Sequence, residues 1–319
     1  MARETEFINP SSPQFNNNFL VPYILVNTIA SLFNILINLS LAYAVRKMKL
    51  FKKPSYRFIL CLSISDFCVG MAVQPLLSTR LLVTNVEKLK VIRLLLTFLG
   101  IVFVQLSGMT TALISLDRYL HMKHLMYYQS HMTIRKASLL IALTVILAVC
   151  IGFIVTISAI FGHAEIVNIG WLSTNFLILF VIVVFYTRAY LSVKKRVAQN
   201  TMNKGQNRPS QRYQRPDFEF AKGMIFILVA LFVCYVPYLI VGMLIAVLPQ
   251  SSSDTSFNLQ VAFYCALIFV YFISSYNALV LIFFDKKLKT FFKSRIKKES
   301  QQQKSVAFKD TTVYLEDIQ

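Results

Sequence analysis

The chain has 319 residues, with 33 Lys and Arg against 14 Asp and Glu and a formal net charge of +19. Hydrophobic residues make up 56% and charged residues 15%, where soluble domains run roughly 45–50% and about 25%. With a mean hydropathy of +0.59 and only 9 Gly and 9 Pro, a disordered or collagen-like chain is excluded. Five cysteines are too few for a disulfide scaffold. The positive charge lies between apolar runs rather than over a soluble basic face, so nucleic acid is not expected as a partner.

A helix needs about 20 predominantly apolar residues to cross the hydrocarbon core of a bilayer. Seven runs meet that length, at 19–45, 58–79, 94–116, 137–161, 166–187, 224–248 and 261–284. The expected architecture is an all-α membrane protein, a seven-transmembrane helix bundle over 19–284. A polar tail at 1–18 precedes it, with no cleavable signal, because the first run is long enough to span. If that tail is extracellular, the external segments hold only Arg3, Arg80, Lys88, Lys90 and Arg93 of the 33 basic residues. The positive-inside rule therefore places the N-terminus outside and the C-terminus in the cytoplasm, and the inner basicity is an attraction to the anionic leaflet of the lipid bilayer. The segment 197–216, rich in Asn, Gln, Arg and Ser, reads as a flexible cytoplasmic loop. Beyond the seventh run, Leu288, Phe291, Phe292 and Ile296 recur at helical spacing among lysines. That pattern predicts an amphipathic interfacial helix at 285–298, the alternative being a basic stop-transfer flank, and then a disordered tail at 299–319.

Asp66 is the one charged residue inside any run. A carboxylate at mid-membrane costs about 2.5–3.5 kcal/mol on insertion scales and marks a candidate functional site. Asn38, Ser107, Ser274 and Asn277 stand at similar depth, a set that could hold a sodium ion, or a protonated carboxyl with water. The alternative is a neutral Asp bonded to Asn and Ser. No resident cofactor is expected, and His121 with His124 form too small a group for a metal site. Asp117-Arg118-Tyr119 closes the third run. Arg118 is always charged, and Asp217 with Glu219, before the sixth run, offers it a second carboxylate. Two competing partners make a switch element; an ordinary helix-end salt bridge is the other reading.

Taken in order, these pieces resemble the rhodopsin-like (class A) G-protein-coupled receptors. Asn38 and Leu62-Ser-Ile-Ser-Asp66, with Pro75, look like that family's first and second helices. Asp117-Arg118-Tyr119 with Tyr128, Tyr186 through Tyr190, and Cys234-Tyr-Val-Pro237 are similar to its third, fifth and sixth. Ser275-Tyr-Asn277, Asp285-Lys286 and Phe292 look like the seventh helix and the interfacial helix. The resemblance implies that Arg118 meets a heterotrimeric G protein after the sixth helix swings outward, that Pro237 bends that helix, and that Tyr235 is the aromatic toggle where most members have Trp. It also implies a plasma-membrane location, and possible arrestin recruitment by Ser300, Ser305, Thr311 and Thr312.

Several positions depart from the family pattern. The fifth-helix proline position is Ile178, the fourth-helix tryptophan is missing, and the seventh-helix motif reads Asn277-Ala-Leu-Val-Leu281. Leu281 cannot join Tyr186 in the family's active-state latch. The extracellular disulfide is absent, since all five cysteines fall within spans. These departures resemble the melanocortin and lysophospholipid receptor branches. An aminergic ligand needs an acid where Gly100 stands, and retinal needs a lysine where Tyr271 stands. The ligand set expected is Arg80, Arg93, Gly100, Val104, Tyr238 and Tyr271, and its basic mouth suits an acidic ligand, solvated loop charges being the alternative. The expected function is a non-enzymatic receptor transducing an extracellular ligand to a G protein. The alternatives are a constitutive or scaffolding receptor without ligand switching, and a transporter or channel with Asp66 in an ion path.

Overall fold

The computed structural model describes residues 15–161, 164–202, 211–247, 253–295 and 301. Among the described residues all regular structure is helical, as expected where no water is present to satisfy an open strand edge. Seven helices are long and apolar enough to cross a membrane. The first four are Asn17–Lys47, Pro54–Leu82, Val86–Lys123 and Ile134–Ile160. The fifth span, Gly170–Lys195, lies in helix Ala164–Met202, and the sixth, Ile225–Ile245, in helix Gln211–Val247. The seventh, Phe257–Phe284, lies in helix Ser253–Phe284. A short helix, Leu125–His131, follows the third span, and after a bend at Asp285 a terminal helix runs over 286–295.

Helix ends differ from the apolar runs for local reasons. The first helix begins at Asn17, inside the expected polar tail, because the Asn16 side chain accepts from the Asn18 backbone N–H as an N-cap. The third begins at Val86, where Asn85 Oδ1 accepts from Lys88 N at 3.1 Å. Lys88, Lys90 and Arg93 therefore stand on the first turns of a helix rather than in a loop. The fifth and sixth helices run to Met202 and from Gln211, so much of the expected loop at 197–216 is helical. Lys, Arg and Gln are good helix formers, and their polarity ends the membrane span without ending the helix. Residues 203–210 lie outside the described residues, as do 1–14, the expected interfacial residues 296–298, and the tail at 299–319 apart from Gln301.

The first helix shows how the bundle is organised. Tyr23, Asn27, Ser31, Asn34, Asn38, Leu41 and Val45, at spacings of three and four, are buried, as is Ala44. Val21, Leu25, Ile29, Leu32, Leu36 and Leu39 are exposed. An apolar exterior with a polar inner stripe suits a helix solvated by lipid, where hydrogen bonds and close packing replace the hydrophobic effect as the glue between helices. That stripe meets the second helix at its wide π turn, Val69–Val73. Three side chains donate across it to carbonyls one turn apart: Asn34 to Asp66 O at 2.9 Å, Ser31 to Gly70 O at 2.8 Å, and Asn27 to Gln74 O at 2.9 Å. Gly70 permits the close approach. A Cβ there would sit 3.0 Å from Ile35 Cγ1 and 3.2 Å from Ser31 O.

Three apolar clusters fill the rest. At the Arg118 end, Leu41, Phe58, Ile59, Leu62, Ile114, Leu281 and Leu288 join the first, second, third and seventh helices to the terminal helix. A second cluster, with Met122, Ile182, Tyr186, Leu231, Cys234 and Val280, joins the third, fifth, sixth and seventh. At the opposite end, Phe15, Tyr23, Val73, Leu77, Leu96, Tyr264 and Tyr271 form the third.

Candidate functional site

Asp66 is fully buried on the second helix. The Ser107 hydroxyl donates to its Oδ1 at 2.6 Å, and the Ser274 and Asn277 side chains lie beside the same carboxyl. Asn38 is not among these neighbours. Its amide donates instead to Asn34 O and Oδ1, at 3.1 and 2.7 Å, and to Ser274 O at 3.3 Å. Asn34 is the residue that couples the helices, since its Nδ2 donates to Asp66 O and its Oδ1 accepts from Ser275 at 3.3 Å. Asp66 Oδ2 and Asn277 Oδ1 are buried with no hydrogen-bond partner among the described residues. A buried polar atom left unsatisfied costs about 1–3 kcal/mol. Two such oxygens beside two hydroxyls make a set of hard donors that fits a monovalent cation or ordered water.

At the end of the third helix, Arg118 Nε lies 3.7 Å from Asp117 Oδ2. The acid is 1% exposed and the guanidinium side chain 12%. The stronger bond to Asp117 comes from elsewhere: Tyr128, on the short helix, donates to Oδ1 at 2.6 Å. The Ser55 hydroxyl lies 3.0 Å from the same phenol oxygen. Burial raises the Tyr128 pKa, and the neighbouring Asp117 charge raises it further, so the phenol keeps its proton to donate. Asp117 is thus held by the short helix and is only loosely engaged with Arg118. Tyr119 accepts from Lys123 Nζ at 2.8 Å and packs on Phe185 at 5.7 Å. Tyr186 is 1% exposed within the second apolar cluster, and Tyr235 packs at its edge. Pro237 is exposed on the outer face of the sixth helix. Asp217 falls in the helical stretch before the sixth span, and its side chain is outside the described residues.

The sixth and seventh helices close tightly at this end. A Cβ built on Gly223 would lie 2.7, 2.8 and 3.0 Å from Cγ, Cβ and Cδ2 of Phe284, and the Phe226 ring stacks on Phe284 at 5.5 Å. Leu281, 2% exposed, sits in the apolar cluster with Leu41 and Leu62, and Tyr186 belongs to the neighbouring cluster.

At the opposite end, Arg80 and Arg93 are half-buried, and Arg93 lies within electrostatic reach of Arg80 and of Tyr264. Tyr271 is 5% exposed, and Val104 packs against its cluster. Gly100 leaves space, since a Cβ there would meet only Val73 Cγ1 at 3.6 Å. Tyr238 accepts from Trp171 Nε1 at 3.1 Å and packs on Phe263 at 5.4 Å. Trp171 and Gln105 escaped the sequence reading. Gln105 is fully buried, with both amide atoms lacking a hydrogen-bond partner among the described residues. Its signal was available: a polar side chain in the middle of an apolar run, as with Asp66. Trp171 is the single tryptophan, but nothing in its spacing named Tyr238 as a partner.

Seven helices long and apolar enough to span, joined by buried polar side chains and with an Asp-Arg pair near the end of the third, define a multi-pass membrane protein. The family described as 7 transmembrane receptor (rhodopsin family) matches residues 37–280, most of the chain, and the chain belongs to that family. No curated protein matches it. Membership makes it a signalling receptor of the plasma membrane, in a family that is generally not enzymatic.

Proposed function

We propose that this receptor passes an extracellular ligand signal to a heterotrimeric G protein, with its N-terminus outside and an outward swing of the sixth helix as the transmitting step. The observation that carries the reading is the Asp117–Arg118 pair at the end of the third helix, 3.7 Å apart, in which the shorter bond to Asp117 comes from Tyr128. An arginine at the rim of the third, fifth and sixth helices can exchange one carboxylate for another group at small cost. In this reading Asp217 is its competing partner, Tyr119 and Tyr186 flank it, Pro237 is the hinge, and Tyr235 the toggle. The distribution of Lys and Arg supports the orientation. Family membership disfavours the transporter reading.

The test is nucleotide exchange on G proteins, measured without ligand and across a ligand panel, for wild type and Arg118→Ala at matched surface expression. Exchange above that of receptor-free membranes, lost in Arg118→Ala, is expected. Exchange indistinguishable from receptor-free membranes throughout would overturn it. A receptor without ligand switching is the second reading, favoured by the apolar setting of Leu281, where a water-bridged latch to Tyr186 has no polar partner. High basal exchange unmoved by any ligand would support it.

Within the proposed function, Asp66, Ser107, Ser274 and Asn277 hold sodium as an allosteric ion, with Asn38 orienting Ser274 from behind. Sodium should raise the melting temperature of wild type over that in a large organic cation, and Asp66→Asn should abolish the difference. Arg80 and Arg93 would receive the acidic group of a ligand, with Gly100, Val104, Tyr238 and Tyr271 below it. An acidic ligand is in keeping with the lysophospholipid branch rather than the melanocortin one. Arrestin would engage the phosphorylated tail, a step readable by recruitment assays on a truncation at 299.

A further inference from the structure

Between the first and second helices the chain turns sharply at the Arg118 end. Lys49 takes the left-handed conformation, φ 54°, and one 3-10 turn follows at Leu50–Lys52. The turn drops Leu50 into the apolar cluster that also holds Leu288 of the terminal helix, itself fully buried. Tyr56 then donates to Asp285 Oδ2 at 2.7 Å. Asp285 Oδ1 accepts from the backbone N–H of Lys287 and Leu288, at 3.0 and 3.1 Å, capping the terminal helix. At that helix's far end Arg295 donates to Tyr43 at 3.2 Å and lies over the Phe291 ring. The turn and the terminal helix are therefore held together as one rigid corner.

That packing sets like charges side by side. Lys49, Lys52 and Lys53 of the turn and Lys286, Lys287 and Lys289 of the helix are all exposed. Among the described residues the ion pairs are Lys90 with Glu87 and Arg118 with Asp117, so none of the six has one. The acid between them, Asp285, has both oxygens engaged by Tyr56 and the helix backbone. Lys53 lies close enough to Lys287 to hold its pKa below the ordinary lysine value, with partial burial adding to the effect and the Asp285 charge only partly offsetting it. Lysines on flexible stems ordinarily swing apart, but here their backbones are fixed by Leu50, Leu288 and the Tyr56–Asp285 bond. An anion between the two would turn repulsion into attraction.

We infer that this corner binds the polyphosphorylated headgroup of a phosphoinositide lipid, with Lys53 and Lys287 clasping one phosphate between them. A lipid fits better than a free phosphate because the corner lies at the ends of spanning helices. Phe283, 60% exposed just before the bend, gives an apolar wall for an acyl chain. Six exposed lysines on one corner favour a multiply charged headgroup over phosphatidylserine, since each basic residue near a membrane surface adds about fivefold in affinity. The inference assumes the orientation proposed above, with this corner in the anionic leaflet, but it does not need G-protein coupling.

The test uses the full chain in detergent micelles and a fluorescent short-chain phosphatidylinositol bisphosphate, which reads binding independently of orientation and signalling. Parallel arms use short-chain phosphatidylserine and soluble inositol trisphosphate. The bisphosphate lipid should bind, and each of Lys53→Gln and Lys287→Gln should weaken it about fivefold, with the pair near the product of the two. The charge-matched control Lys194→Gln with Lys195→Gln, exposed at the end of the fifth helix, should weaken it no more than about twofold. Equal losses in the two double variants would overturn the inference in favour of diffuse attraction. Phosphatidylserine binding as tightly as the bisphosphate would overturn the headgroup, and trisphosphate binding as tightly as the lipid would overturn the lipid source. Unchanged melting temperatures establish that the surface variants are folded.

Discussion

Gly223→Ala tests whether closure of the sixth helix on the seventh holds the receptor off. The added Cβ would lie 2.7 Å from Phe284 Cγ and 2.8 Å from its Cβ, where carbon atoms ordinarily rest about 3.5–4.0 Å apart. Rotating the ring cannot relieve the contact at Phe284 Cβ, which moves only with the backbone. The helices must separate by about 1 Å at this level, and overpacking of that kind costs about 1–3 kcal/mol. The cost falls on the closed arrangement alone. Ala also gains up to about 1 kcal/mol over Gly in a helix, but in both arrangements, so that gain cancels from the ratio. A closed-state penalty near 1.4 kcal/mol shifts the balance about tenfold, from an open population on the order of 1% to about 10%.

The assay is ligand-free nucleotide exchange in membranes at matched surface expression, and a rise of roughly five- to tenfold is expected at low starting occupancy. Phe284→Gly removes all three clashing atoms. In that background Gly223→Ala should therefore change nothing, a coupling that a double-mutant cycle isolates. Unchanged basal exchange in Gly223→Ala, or an undiminished rise in the double variant, would refute the steric account.

Tyr128→Phe removes the 2.6 Å bond to Asp117, a hydrogen bond to a charged group worth about 1.5–3 kcal/mol. The freed carboxylate should then hold Arg118 more firmly, so ligand-free exchange should fall below wild type; a rise would mean that the short helix restrains the receptor instead. Asn34→Leu deletes bonds to Asp66 O, Asn38 and Ser275, each worth about 0.6 kcal/mol on average between membrane helices. Thermal unfolding should show a loss of about 2 kcal/mol, and a loss confined to a few tenths would show that helix packing needs no polar stripe. Gln105→Leu exchanges a buried amide with no hydrogen-bond partner among the described residues for an apolar side chain. It should melt higher by an amount equivalent to about 1–2 kcal/mol. If Gln105 also binds ligand, the same variant should lose response in the panel, and a variant that melts lower would point to partners for the amide that the geometry does not give.

The number and order of the spans were legible because hydrocarbon imposes a single requirement on long segments, that they be apolar and satisfy their own backbone. Helix ends were not legible in the same way. Asn16 and Asn85 extend helices beyond the apolar runs by capping, and Lys, Arg and Gln carry the fifth and sixth helices into a segment whose polarity suggested a loop. The Asp66 neighbourhood was half legible. A buried acid calls for polar neighbours at its own depth, and of the residues this named, Ser107, Ser274 and Asn277 lie beside it. Depth does not give rotation about the helix axis, however, and the first helix turns Asn34, Ser31 and Asn27 toward the second helix's carbonyls at Asp66, Gly70 and Gln74. Asn34 therefore stands against Asp66, one turn away from Asn38.

The same limit explains why Gly223 carried no meaning as a sequence. A glycine in an apolar helix may mark flexibility, a close approach or nothing, and only the position of Phe284 on another helix separates these. Gly70 and Gly223 both mark close approaches, with opposite consequences. At Gly70 the near atoms include a carbonyl oxygen and donors that already hold the first two helices together, so crowding there loosens packing common to every state. At Gly223 the neighbour is a phenylalanine on the helix from which the sixth must part, so crowding there works in one state only. The first glycine bears on stability and the second on the switch, and the difference is set by which helix pair must move.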